Sequence, residues 1–189
     1  MWHVDPDRNE LRLSSGYFCK WDEFRRLTAS TRFVKGSGLP GRVWATHQPV
    51  LLEDLSESKA FLRAEAAQSI GLKFGVGLPV QYASGFGVVV LLSSLTSPVA
   101  RSIDIWRLCD QGEVEHLQGM SLAKTLNERT YALSAAKTLA FAAANQFLPQ
   151  VMSLSPTKSS SASDQLIEFG CAWPSRDRSG VIHVVTLVG

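Results

Sequence analysis

Gly36, Gly38 and Gly41, in the stretch "VKGSGLPGRVW", spell G-x-G-x-x-G, the spacing with which a loop lays backbone amides against a pyrophosphate. That chemistry needs a buried apolar strand before the loop, a long helix after it and an acidic residue about twenty positions on, inside a parallel β-α-β unit. Here the preceding "TASTRFV" is short and polar, the following helical pattern is brief, and the later pieces lead into antiparallel hairpins. Asp54 lies at a tolerable distance, but one acid proves little. A tight turn is the better use of these glycines: Gly36 and Gly38 allow it, Leu39 anchors it, and Pro40 fixes the start of a short helix that carries Trp44.

Other reactive arrangements are missing from the sequence. There is no G-x-x-x-x-G-K-[ST], no G-x-S-x-G and no H-E-x-x-H. His3, His47, His116 and His183 are scattered singly, and none stands at metal spacing from another His or Cys. Asp22 with Glu23, and Glu53 with Asp54, are sequence neighbours and need not converge for paired acid and base work. Cys19, Cys109 and Cys171 are odd in number and form no C-x-x-C, which argues against a disulfide framework and a zinc site and for a reducing, cytoplasmic setting. What stands out is aromatic: Trp21, Phe24, Phe33, Trp44, Phe61 and Phe74 fall on short helices, loops and strand starts around one sheet. Such groups line small-molecule pockets, and the same groups also make ordinary cores.

The elements that would position them are legible in outline. Trp2 to Val4 and Leu11 to Cys19 read as strands joined by the turn "DPDRN". "WDEFRRLTAS" and "GLPGRVWATH" read as short helices, "PVLLED" as a strand, and "SKAFLRAEAAQSIG" as a helix capped by Ser58 and ended by Gly71. "KFGVGLPVQY" and "FGVVVLLSS" flank "ASG" as a β-hairpin, and "ARSIDIW" is a further strand. From Glu113 to Leu148 strong helix formers predominate, without a strict heptad, so a packed helix or helical pair is expected before Pro149. Residues 153–163, "SLSPTKSSSAS", read as a solvated serine-rich linker, in which Ser155 sits in a Ser-Pro context that proline-directed kinases accept.

The chain of 189 residues has 45% hydrophobic and 19% charged residues and a mean hydropathy of +0.03, an ordinary globular composition able to bury a core. A formal charge of +2 without a long basic run does not favour nucleic acid. "FGVVVLL" is too short to cross a bilayer, and "MWHVDPDRNE" lacks the features of a signal peptide, so no membrane partner is expected.

One repeat is present. "FGVGLPVQYASGFGVVVLL" (residues 74–92) aligns without gaps on "FGCAWPSRDRSGVIHVVTL" (residues 169–187) at a constant offset of 95. The matches include Phe74 with Phe169, Pro79 with Pro174, Gly85 with Gly180, Val89 with Val184 and Leu92 with Leu187. One nearly complete domain and a fragment of a second copy are expected.

"FVKGSGLPGRVWATHQPVLLEDL", "FLRAEAAQSIGLKFGVGLPVQ" and "GFGVVVLLSS", in this order, resemble the GAF domain family over about residues 1–108. The resemblance implies an α+β fold, a central antiparallel sheet flanked by helices, with a pocket on one face under short helices and loops. It also implies a sensory or regulatory module that binds a small molecule or mediates dimerisation. Departures are clear: no cysteine is followed by His as in bilin-carrying members, the cyclic-nucleotide signature has no counterpart, and no clustered cysteines suggest a methionine sulfoxide reductase. The cofactor or ligand is therefore left unnamed.

The resulting expectation is a GAF-like domain over 1–108 lacking its usual first helix, a long helical segment over 109–152, the linker over 153–163 and a partial second hairpin over 164–189. The hairpin would add to the first sheet or to a partner's sheet, making a homodimer, because exposed "VIHVVTLV" edges would aggregate. The ligand-binding residues expected are Trp21, Phe33, Trp44, Asp54, Phe61, Arg63, Phe74, Val76 and Leu78. The function expected is non-catalytic sensing, with signalling through helices or dimerisation; the alternative is a structural dimerisation module whose pocket is filled by its own side chains.

Overall fold

The computed structural model describes residues 1–56, 61–83, 85–124, 126–153 and 169–189. The expectations for Ser58, Ser155 and residues 154–163 of the linker fall outside the described residues. The chain is α+β and divides into two compact units, Met1–Pro98 and Val99–Gly189.

The first unit begins with β1 (Trp2–Asp5) and β2 (Glu10–Leu13). Between them the Asp5 carboxylate accepts the backbone N–H groups of Asp7 and Arg8, and Asn9 takes φ 52° to bring the chain back. There follow α1 (Asp22–Ser30), β3 (Arg32–Phe33), α2 (Gly38–Thr46), β4 (Val50–Leu52), α3 (Ala64–Ser69), β5 (Leu72–Tyr82) and β6 (Gly85–Ser94). The sheet is antiparallel in the order β3-β2-β1-β6-β5-β4.

The glycine loop is a steric device. Gly36 and Gly38 have φ of 85° and 62°, and the Gly36 N–H donates to the Gly41 carbonyl at 2.7 Å. A Cβ on Gly41 would run into the Val34 carbonyl oxygen. Leu39 and Val43, one helical turn apart, then bury completely. They lie over Gly77 of β5, where a Cβ would come within 2.7 Å of Val43 Cγ2 and 3.2 Å of Leu39 Cδ1. The helix approaches the sheet because that strand offers it glycine. Gly71, at φ 75°, ends α3 as expected, although that helix begins only at Ala64.

The second unit comprises β7 (Ser102–Leu108), β8 (Val114–Ser121), α4 (Leu126–Gln146), β9 (Gln150–Ser153), β10 (Phe169–Arg176) and β11 (Ile182–Val188), with an antiparallel sheet in the order β8-β7-β11-β10-β9. Several expectations change here. Residues 102–108 pair with β8 and β11, so this strand belongs to the second unit and the first ends at Pro98 rather than 108. Residues 114–121 form a strand, not the start of a long helix: Gly112, at φ 79°, closes a hairpin, and pairing along β7 overrides helix propensity. The helix packs on β7, β10 and β11 of its own unit through Ala132, Ala136, Leu139, Ala140, Ala143 and Ala144, a mostly alanine face that allows close approach to the sheet.

The C-terminal hairpin is likewise not a stray fragment. It pairs with β7 and β9, and β8-β7-β11-β10-β9 repeats the order β2-β1-β6-β5-β4 of the first unit. The ungapped alignment holds for the first strand of the hairpin and slips in the second. Pro79 stands opposite Val88, whereas Pro174 stands opposite Val184, so Val184 is the counterpart of Val88 and not of Val89. One extra residue at the turn moves every later side chain by one register position.

A polar cluster lies within the second unit. The buried Asp104 carboxylate meets His116 Nε2 at 2.9 Å and accepts the Ser102 hydroxyl, while Trp106 Nε1 donates to Thr186 Oγ1 at 2.9 Å. Gly119, opposite Asp104, leaves space for this: a Cβ there would come within 2.7 Å of His116 Nε2.

Candidate functional site

Four elements of the first unit converge on one side chain. β1 brings Trp2, β3 brings Phe33, and α1 points Phe24 and Thr28 inward from adjacent turns, as their i, i+4 spacing requires. The segment entering α3 brings Phe61 and Arg63. Trp2 and Phe33 meet edge to face, with centroids 4.8 Å apart and planes at 81°.

Arg63 is only 5% exposed. Its guanidinium carbon lies 5.5 Å from the Trp2 ring centroid, 5.1 Å from Phe24, 5.7 Å from Phe33 and 5.2 Å from Phe61. These are cation–π distances. Nη1 donates to the buried Thr28 hydroxyl, and the enclosed Nε has no hydrogen-bond partner. No carboxylate among the described residues pairs with this cation. Burial lowers its pKa to about 10, because removal from water disfavours the charged form.

The nine residues expected from sequence divide into several groups. Phe33, Phe61 and Arg63 meet as described. Trp44 belongs to the same buried core, with the Lys35 ammonium 5.7 Å from its ring, and the half-buried Trp21 packs against that core from its edge. Asp54 is not a contact of this cluster: its carboxylate is held by Lys73 and accepts the Ser56 hydroxyl and backbone N–H. The Lys73 hydrogen bond, then that of Ser56, lowers its pKa to about 2.

Phe74, Val76 and Leu78 are placed on the other face of the sheet. Gly75, Gly77 and Pro79 stand opposite Leu92, Val90 and Val88, which pack into the helix-side core. The alternating residues Phe74, Val76 and Leu78 therefore point away from it. The expectation of one pocket containing all nine residues is corrected by the two-residue period of β5.

Trp2 and Thr28 complete the cluster without having been expected there, and Phe24, singled out with the other aromatics but not among the nine, joins them. Their sequence signals were local: Trp2 in the first strand, and Phe24 with Thr28 four residues apart in "DEFRRLTAS". Their convergence on Arg63 depends on strand order.

The cluster thus encloses hydrogen-bond donors, the guanidinium and a hydroxyl, among aromatic rings. Among the described residues, no three His, Cys, Asp or Glu side chains gather as a metal ligand set, and no helix is long and apolar enough to cross a membrane. No protein-family model and no curated protein matches the chain.

Proposed function

We propose that the protein is a non-catalytic sensory or regulatory module of GAF type, whose first unit binds a small molecule at the aromatic cluster around Arg63. The observation that carries this reading is the buried guanidinium with an unpartnered Nε, ringed by Trp2, Phe24, Phe33 and Phe61. A cation held in such a place without a countercharge costs stability, and sites that cost stability are where ligands are met. In this reading occupancy shifts the position of α1 and the segment entering α3, and that shift is passed on through helices or a homodimer in the cytoplasm.

A second reading has its own support. Arg63 and the four rings already fill the space between the helices and the sheet, as a structural dimerisation module with a self-filled pocket would require. Native mass spectrometry of the full chain, compared with the denatured chain, separates the two. Small-molecule binding predicts retained or added mass on the native protein; a dimer that carries no small molecule and accepts none favours the structural module.

A further inference from the structure

We infer that the second unit carries a binding site for a zwitterionic α-amino acid with an apolar side chain, in the groove between α4 and the hairpin of β7 and β8. This goes beyond the reading of the first unit and does not depend on it.

The groove has a volume of about 360 Å³ and is lined by Glu113, Val114, Ser134, Lys137, Thr138 and Phe141, a size at the lower end of small-molecule sites. One wall is the chain entering β8, where Gly112, at φ 79°, turns the backbone and Glu113 and Val114 follow. The other wall is a single face of α4, since residues 134, 137, 138 and 141 stand at i, i+3, i+4 and i+7.

The charged groups of the groove are unspent. The Thr138 hydroxyl donates to the Ser134 carbonyl at 3.1 Å. Among the described residues the Glu113 carboxylate, the Lys137 ammonium and the Ser134 hydroxyl have neither a hydrogen bond nor an ion pair. A carboxylate and an ammonium thus line one groove from its two walls without meeting. A ligand with one charge of each sign answers both through charge-assisted hydrogen bonds, its ammonium to Glu113 and its carboxylate to Lys137. A simple anion or cation would find one partner and one like charge. Phe141 selects the rest of the ligand: its ring is 50% exposed, so it has open surface to give to an apolar side chain.

L-leucine, N-acetyl-L-leucine, L-leucinamide and glycine at pH 7 and constant ionic strength are the probes for the full chain. Binding is followed by amide shifts in ¹⁵N-labelled protein. The expected result is saturable shifts at residues 113–114 and 134–141, with L-leucine binding about fivefold or more tighter than each of the other three. Glu113 and Lys137 are both exposed, so Glu113→Gln and Lys137→Gln leave the fold in place. Each should weaken L-leucine by about fivefold. Glu113→Gln should leave N-acetyl-L-leucine undiminished, and Lys137→Gln should leave L-leucinamide undiminished, a split that a structural role would not produce. N-acetyl-L-leucine or L-leucinamide binding as tightly as L-leucine overturns the zwitterion assignment, and glycine doing so overturns the role of Phe141. Absence of saturable shifts at these residues with every probe overturns the site.

Discussion

Trp2 and Trp106 occupy equivalent places in two sheets: Trp2 stands opposite Val88 on β6, and Trp106 stands opposite Val184 on β11. All four side chains are buried. The neighbouring strands agree, since Val4 pairs with Leu11 in the first unit and Leu108 pairs with Val114 in the second. The repeat therefore extends from the hairpin to the whole sheet order, while the connections differ. A single helix, α4, stands between β8 and β9, where the first unit has α1, β3 and α2 between β2 and β4.

The two tryptophans should fail separately. Trp2→Ala and Trp106→Ala each remove a large buried ring and should cost about 3–5 kcal/mol. Urea unfolding followed by hydrogen exchange should show Trp2→Ala lowering protection mainly in residues 1–98 and Trp106→Ala mainly in residues 99–189. Equal loss throughout the chain for both variants would show that the units unfold as one.

Gly77→Ala tests the approach of α2 to the sheet. The new Cβ would lie 2.7 Å from Val43 Cγ2 and 3.2 Å from Leu39 Cδ1, two residues that are wholly buried. A loss of about 1–3 kcal/mol in urea unfolding is expected from overpacking. The pair Gly77→Ala with Val43→Ala should lose less than the sum of the two single changes, because the second relieves the first. Simple additivity would place the strain elsewhere.

The Asp54 and Lys73 pair should leave a signature at acid pH. With the folded pKa lowered to about 2 from 3.8, the carboxylate contributes stability above the unfolded value, and that contribution is lost as pH falls through the folded one. Between pH 5 and about pH 2 the urea midpoint of the wild type should therefore fall more steeply than that of Asp54→Asn. Parallel pH profiles would mean that the exposed pair is screened to nothing.

Much of the first unit was legible because its signals are local. The glycine turn, α2, the strand Val50–Leu52 and the long hairpin each carry their own punctuation. The candidate site was legible only in part. Arg63, Phe33 and Phe61 were recognisable as residue types, but Trp2 and Phe24 reach them through the order of strands and the facing of a helix, which no local pattern encodes. Phe74, Val76 and Leu78 went to the wrong face because a run of apolar residues conceals its alternation when the other face is Gly75, Gly77 and Pro79. In the second unit "EVEHLQGMS" reads as helix by composition, and only its pairing with β7 makes it a strand.

Arg63→Met separates a binding residue from a structural one by the sign of its effect. Met keeps the length and apolar stem, removes the buried charge and leaves Thr28 without one donor. Desolvation of the guanidinium, the cause of its pKa near 10, disfavours the folded charged state. The four ring contacts and the Thr28 bond offset part of that cost. Replacing a buried charge by an apolar side chain of similar volume is commonly neutral or stabilising, so the ligand-free variant should gain about 1 kcal/mol in urea unfolding at pH 7 while losing the small molecule that native mass spectrometry finds on the wild type. A residue selected for binding tolerates that trade. A loss of about 2 kcal/mol would instead mean that the rings and Thr28 outweigh desolvation, and Arg63 would then be a strut of the fold.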